Sequence, residues 1–580
     1  MKQLLALWAA LCITACSSAD NDSTHTSVAN NASSEWSHGA MAAAADSRAV
    51  DAAVEILEKG GSAVDAAIAT HAVLGLVEPQ SSGLGGGAFM LVYERENKEL
   101  TYFDGRETAP AGATIDMFMR DGEVLGFFES WQSGLAIGVP GTLALYKSAH
   151  EAHGKLPWAE LFQPAIRLAQ NGFKVSPRLA NYMPMMAERG RLDEDPGAAA
   201  YFYPDGEALQ VGDLRTNPEY ANTLTRVAAE GIDAFYSGEI AQAMANAAQE
   251  GPDGGSLTAQ DIAQYRAVDR EVICGGFRDM KICTTSPPSS GAAQIMIAGL
   301  YDHLASGAAN QADKIAAFVD AQRLAYADRD YYFGDPDSID VPLHDLIDPE
   351  YLRHRATERI APDAVPIHGD PGMVLHQESA ALLWGPDTTA EVAGTTHFSI
   401  VDNQGNAVAM SATVGGPFGS SRWVAGFLLN NELTDFALAV RPDGKPVANA
   451  IGPGKRPRSS LSPTIVLDEN GELLMVTGSV GGNSIPAYVA KTIIGVFDWG
   501  LSAQEAVDFP NIVARGEPVR VEVSVEPGPA IAADLATRGY DVQERQGENA
   551  ASHVIVVRPD KLEGAADPRR EGIVKAVTVP

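Results

Sequence analysis

Gly394-Thr395-Thr396-His397 sets a small residue directly before a threonine, which is what intramolecular attack on a peptide carbonyl requires. If the Thr395 hydroxyl attacks the Gly394 carbonyl carbon, an N-to-O acyl shift and hydrolysis leave Thr395 with a free α-amine beside its own hydroxyl. One residue then carries both nucleophile and base, because an α-amine with a pKa of about 7.7 to 8.0 accepts a proton near neutrality. Taken alone, two threonines at a strand start are ordinary β-formers. The chemistry therefore has to be argued from their surroundings.

Three other motifs compete poorly. Gly83-x-Gly85-x-x-Ala88 has the spacing of a dinucleotide fingerprint, but that motif needs a strand before it and a helix after it, and here the order is reversed. A close backbone approach explains these glycines better. His150-Glu151-Ala152-His153 falls one residue short of the HExxH zinc motif and reads as a surface helix end. Ser479 in TGSVGG lacks the first glycine of a nucleophile elbow. No metal or organic cofactor is indicated.

The elements that must position Thr395 follow from periodicity. Helical spacing over 42–58 is stopped by Gly60-Gly61, and Ser62 caps a second helix running to about Val77. SSGLGGG then leads into the strand-like AFMLVYE and a return strand LTYFDGRE. Residues 156–352 read as mainly helical, and 365–393 as an extended connection ending at Gly394. THFSIVD and NAVAMSATV alternate as a hairpin, SPTIVLD and ELLMVTG form a second one, and a helix covers about 487–497. Strand pairs combined with helices in both halves predict an α+β fold, a four-layer αββα sandwich.

Composition bounds the function. The 580 residues are 45% hydrophobic and 20% charged, which suits a large packed interior. A net charge of −33 argues against a nucleic-acid partner, since phosphate binding needs clustered Lys and Arg. Lys2 and a short apolar run ending Ile13-Thr14-Ala15-Cys16 suit a signal peptide over 1–15. The small residues before Cys16 resemble a bacterial lipobox, which implies lipid attachment at Cys16, a tether over 16–37 and an exported, periplasmic, membrane-anchored protein. Cys274 and Cys283 flank a hairpin. A disulfide and two buried free thiols both remain open there.

The surroundings of Thr395 are distinctive. ADSRAVDAAVEILEKGGSAVDAAIA, SSGLGGGAFM, GRETAP, GVPG, PAIRLAQNGF, PPSSG, LAYADRDYYFGDPD, TTHFSIVD, LLNNELTDF, GKRPRSSLSPTIV and TGSVGG run in order through nearly the whole body. With these the chain resembles the γ-glutamyltranspeptidases (γ-glutamyltransferases), members of the N-terminal-nucleophile hydrolases. The resemblance implies a large part, 38–394, and a small part, 395–580, made by self-cleavage and remaining associated. It implies Thr395 as nucleophile, Thr413 as its supporting hydroxyl and Gly481-Gly482 as oxyanion hole. Arg106, Ser459 and Ser460 would hold a glutamyl carboxylate, and Glu432 and Asp435 its ammonium. Donors would be γ-glutamyl compounds such as glutathione, and acceptors water, amino acids or peptides. A glutaryl or β-lactam acylase, which needs no ammonium site, and an uncut lipid-anchored binding protein are the alternatives.

The chain also departs from that pattern. Gly415 stands where the family usually has asparagine, Arg458 replaces a leucine, Asn483-Ser484 replaces Ser-Arg, and the segment between Asp435 and Ser459 is short. These changes bear on substrate and acceptor rather than on acyl transfer.

Overall fold

The computed structural model describes residues 36–577 apart from 252, 359, 380–383, 386, 388, 390, 393, 439–443 and 517. The leader expected at 1–15, Cys16 and the expected tether up to residue 35 lie outside the described residues. No described helix is long and apolar enough to cross a membrane.

Two antiparallel sheets stack on each other. The seven-stranded sheet runs Ile573–Val577, Ala40–Ala44, Gly394–Val401, Ala407–Gly415, Gly87–Glu94, Glu99–Gly105, Val268–Arg270. The six-stranded sheet runs Lys561–Ala566, His553–Arg558, Leu473–Thr477, Thr464–Asp468, Met280–Thr285, Val272–Phe277. Alternation along Gly87–Glu94 shows the layering. Phe89, Leu91 and Tyr93 join the core shared with the second sheet, whereas Ala88, Met90 and Val92 pack in the cluster with Ser47–Glu58 and Ala63–Val77. Gly291–Leu304, Gln311–Tyr332 and Ile485–Phe497 contribute to the first of these cores, which completes the αββα order.

Local signals explain most boundaries. Ser62 and Asp65 form a reciprocal capping box, and Ala63–Val77 is buried on every side, as an all-apolar helix must be. The helix expected over 42–58 is corrected at its start: Ala40–Ala44 is a strand, and the helix begins at Ser47 after the Asp46 cap. Backbone pairing with Ile573–Val577 on one side and Gly394–Val401 on the other outweighs the helix preference of alanine. The 156–352 stretch is mainly helical, and it also contributes the short strand Val268–Arg270 and, as expected around Cys274 and Cys283, the hairpin Val272–Phe277 and Met280–Thr285. Cys274 and Cys283 stand opposite each other in that hairpin and form a disulfide, which decides the open choice.

Both sheets mix strands from before and after residue 394. Gly394–Val401 has Ala40–Ala44 on one side and Ala407–Gly415 on the other.

Candidate active site

Thr395 sits at the entry of a central strand, opposite Thr413, with a register shift between Gly394 and Thr395. That irregularity turns the junction away from regular pairing. Gly394 has no room for a side chain: an added Cβ would lie 2.3 Å from the Gly415 carbonyl oxygen and 2.6 Å from the Gly416 carbonyl carbon. The Thr413 hydroxyl donates to the Gly394 carbonyl oxygen at 2.6 Å and accepts from the Gly415 amide at 2.8 Å. The carbonyl of the Gly394–Thr395 peptide is thus polarised by a buried donor.

Sequence separation is large, yet one small cavity collects Thr395, Thr413, Gly415, Glu432, Asp435, Ser459, Ser460 and Gly482, with Glu391 and Val392 of the connector. Gly481 lines an adjoining crevice of about 740 Å³ that shares Glu391 with it. The Gly481-Gly482 pair adopts φ of +136° and +56°, which favour glycine, and leads directly into Ile485–Phe497. Its amides therefore lie at the positive end of a 13-residue helix dipole, suited to a developing oxyanion.

Arg106 lies behind the cavity. Its guanidinium pairs with Glu432 and with Asp435 at 2.7 Å and donates to the carbonyl oxygens of Pro457 and Arg458 at 3.1 and 3.0 Å. Glu107 adds a third carboxylate, 3.7 Å away. One cation therefore faces three acids, Glu107 and Glu432 buried and Asp435 partly so. Burial pushes Glu107 up to about 8 and Glu432 up to about 7 despite Arg106, and burial with the Glu432 charge raises Asp435 well above the carboxylate range. Glu432 Oε2 has no hydrogen-bond partner. The cluster is short of positive charge.

Three contributors escaped the sequence reading. Arg570 Nη1 donates to the Thr395 carbonyl at 2.9 Å, tying the C-terminal region to Thr395. Arg329 reaches Ser460 Oγ at 2.7 Å and the Glu391 carboxylate at 2.6 Å. Arg458, noted only as a departure, is fully buried and pairs with Asp387 at 2.9 Å and Glu391 at 3.4 Å. The mixed signal in Arg329 was its place on a helix, where a buried arginine and a surface one read alike.

The discarded motifs hold other positions. A Cβ on Gly85 would lie 2.1 Å from the Leu428 carbonyl oxygen, so the SGLGGG turn is a close backbone approach. His150 and His153 end the helix Thr142–His153 but are partly buried rather than on the open surface; their rings meet the Leu156 carbonyl and Glu94. Ser479 is buried against Ser552.

Comparison with known proteins gives the family. The family model described as Gamma-glutamyltranspeptidase matches residues 49–577. The chain belongs to the γ-glutamyltranspeptidase family. It is 35% identical over 542 residues to the glutathione hydrolase proenzyme of Escherichia coli K12, covering 91% of this chain and 90% of that one. Identity to the Bacillus subtilis strain 168 glutathione hydrolase proenzyme is 37% over 483 residues, 81% of this chain and 80% of that one. Among solved structures, the cephalosporin acylase of Bacillus halodurans superposes with a TM-score of 0.80 at 26% identity, covering 94% of this chain and 97% of that one. The γ-glutamyltranspeptidase family sandwich is thus the fold of this chain.

Proposed function

We propose that this chain is a γ-glutamyltransferase and glutathione hydrolase that cuts itself before Thr395 and then transfers γ-glutamyl groups through an ester on that threonine. The observation that carries the substrate class is the acid excess around Arg106. Three carboxylates with one cation, two of them buried and two lining the cavity that holds Thr395, favour a ligand bringing an ammonium group. A γ-glutamyl donor has one.

In self-cleavage, Thr395 Oγ bonds to the Gly394 carbonyl carbon, the carbon–nitrogen bond breaks, and the hydroxyl proton ends on the new α-amine. Water then hydrolyses the ester, leaving a Gly394 carboxylate. In turnover the freed amine takes the Thr395 hydroxyl proton as Oγ attacks the γ-carbonyl of the donor. The same proton passes to the leaving amine, and water or an amino-acid or peptide amine later displaces the acyl group. Thr413 supports the nucleophile, and the Gly481 and Gly482 amides receive the oxyanion. The relatives' designation as proenzymes supports cleavage into 38–394 and 395–580, and the strands shared between these parts support their staying together. The lipobox-like run before Cys16 supports a leader over 1–15, a lipid-anchored tether and a periplasmic place.

N-terminal sequencing of the smaller fragment tests the nucleophile: it should begin Thr-Thr-His-Phe, and any other start overturns the assignment. A Thr395→Ala chain should remain one band on denaturing electrophoresis. The acylase neighbour motivates a second arm, in which glutaryl p-nitroanilide is compared with γ-glutamyl p-nitroanilide. Preference for the glutaryl compound would replace the γ-glutamyl reading with an acylase.

A further inference from the structure

Acyl transfer needs room on both sides of the reacting carbonyl, and the glycine pair stands between two spaces. Gly482 lines the small cavity that holds Thr395, whereas Gly481 lines the adjoining crevice of about 740 Å³. An acyl group whose oxygen sits on these two amides would keep its chain in the cavity and turn toward the crevice the side that a second reactant must approach. The crevice has room for a short peptide.

One wall is the start of Ile485–Phe497, with Ser484 and Tyr488. The other is a small sheet in which Val519–Glu522 pairs antiparallel with Ile512–Val513 and parallel with Val542–Arg545. Polar contacts join the two sides: Arg520 Nη2 donates to Ser484 Oγ at 2.5 Å, and the Tyr488 hydroxyl donates to the Glu548 carboxylate at 2.6 Å. Asn549, which also lines the crevice, is tied to the central strand, because Arg570 donates both to Asn549 Oδ1 at 2.7 Å and to the Thr395 carbonyl at 2.9 Å.

Charge is unevenly satisfied there. Three arginines, at 515, 520 and 545, line this one crevice of a chain whose net charge is −33. Arg515 is paired with Asp330 at 2.7 Å. Arg520 Nε lies 3.5 Å from Glu548 Oε1, too far for a good hydrogen bond, and neither atom has another partner although the Glu548 side chain is only 7% exposed. Arg545 is exposed, and its side chain makes no hydrogen bond or ion pair among the described residues. Strand register opposes Arg520 to Gln543 and Glu522 to Arg545, which sets Arg520 and Arg545 on one face, a diagonal step apart. The crevice thus offers two guanidinium groups to an anion and one buried carboxylate oxygen to an N–H donor.

We propose that this crevice is the acceptor subsite, and that the acceptor it favours is a short peptide with a free carboxyl terminus. The carboxylate goes to Arg545 and Arg520, a peptide N–H to Glu548 Oε1, and the amino terminus to the acyl carbon beside Gly481. The acceptor nitrogen bonds to that carbon, the ester bond to Thr395 Oγ breaks, and the amine proton passes through the Thr395 α-amine to that oxygen. This rests on the γ-glutamyl reading above and deepens it. The motifs that carry the resemblance end at Gly482, so Arg515, Arg520 and Arg545 lie outside all of them.

The test uses two acceptors that differ only at the carboxyl terminus. The cleaved enzyme is given γ-glutamyl p-nitroanilide with glycylglycine or with glycylglycinamide, and the γ-glutamyl peptide formed is separated from free glutamate by chromatography. Its rate of formation against acceptor concentration gives the half-saturating concentration of each. For the wild type that of glycylglycine should be at least about fivefold lower, the scale of one partly exposed ion pair. Arg545→Gln should bring the two acceptors within about twofold of each other by weakening glycylglycine alone. Arg545→Lys should keep part of the preference, and Arg545→Glu should reverse it. Equal use of the two acceptors by the wild type, an undiminished preference in Arg545→Gln, or free glutamate as the sole product each overturns the subsite. Absence of any p-nitroaniline release overturns the γ-glutamyl reading itself, and the acceptor subsite falls with it.

Discussion

The Thr413 hydroxyl donates to the carbonyl oxygen of Gly394 across 2.6 Å, so the oxygen that would take negative charge during cleavage already has a buried donor. Replacing Thr413 by valine removes that donor while keeping the shape. Self-cleavage should slow by about 10²-fold or more, whereas Thr413→Ser should retain most of the rate. Band intensities on a denaturing gel over time after refolding give both rates.

Gly481 tests the oxyanion arrangement from another side. Its φ of +136° strains any side chain, and a Cβ would lie 2.5 Å from the Tyr488 ring. Gly481→Ala should lower kcat by roughly 10²- to 10³-fold with a smaller change in KM. A change confined to KM would place these amides outside the transition state.

At the ammonium end, Asp435→Asn removes one acid while leaving the fork of Arg106 paired with Glu432. The KM for γ-glutamyl p-nitroanilide should rise by about tenfold or more, and that for the glutaryl compound should change little. Steady-state kinetics on the two anilides read this directly.

Glu107 supplies a pH prediction. Burial raises its pKa in the folded chain to about 8 from an ordinary 4.5. The folded state then binds the proton more tightly, so its stabilising contribution is complete below pH 4.5 and is lost as the pH rises through about 8. Glu107→Gln should remove that loss, and its thermal midpoint should fall less between pH 5 and pH 9 than that of the wild type. Thermal melts of the uncut chain across this range decide it.

The grouping of the candidate site was legible because its parts sit in short, ordered motifs: residues of TTHFSIVD, SATV, NNELTDF, PRSSLSP and TGSVGG all come to one cavity. Alternating hydrophobicity identified the two hairpins even though nearly every residue of their strands is buried. Charge partners were harder. Glu391 and Arg458 are 67 positions apart, and a lone glutamate in a connector carries no local mark of burial. Only two acids four apart, at 387 and 391, just ahead of a cleavage motif could have suggested counter-ions. The Ala40–Ala44 strand was missed for a similar reason, because its pairing partners begin at 394 and 573 and alanine by itself favours helix.

Thr395 begins near the middle of a seven-stranded sheet, between Ala40–Ala44, from well before it in the chain, and Ala407–Gly415, which follows it. A ribosome delivers a new amino terminus first, before the partners that would bury it exist. Here the strand can be set in place only while it is still continuous with what precedes it. If Thr395 is to work with a free amine at this depth, the folded molecule has to make that amine for itself, and folding then comes before cutting.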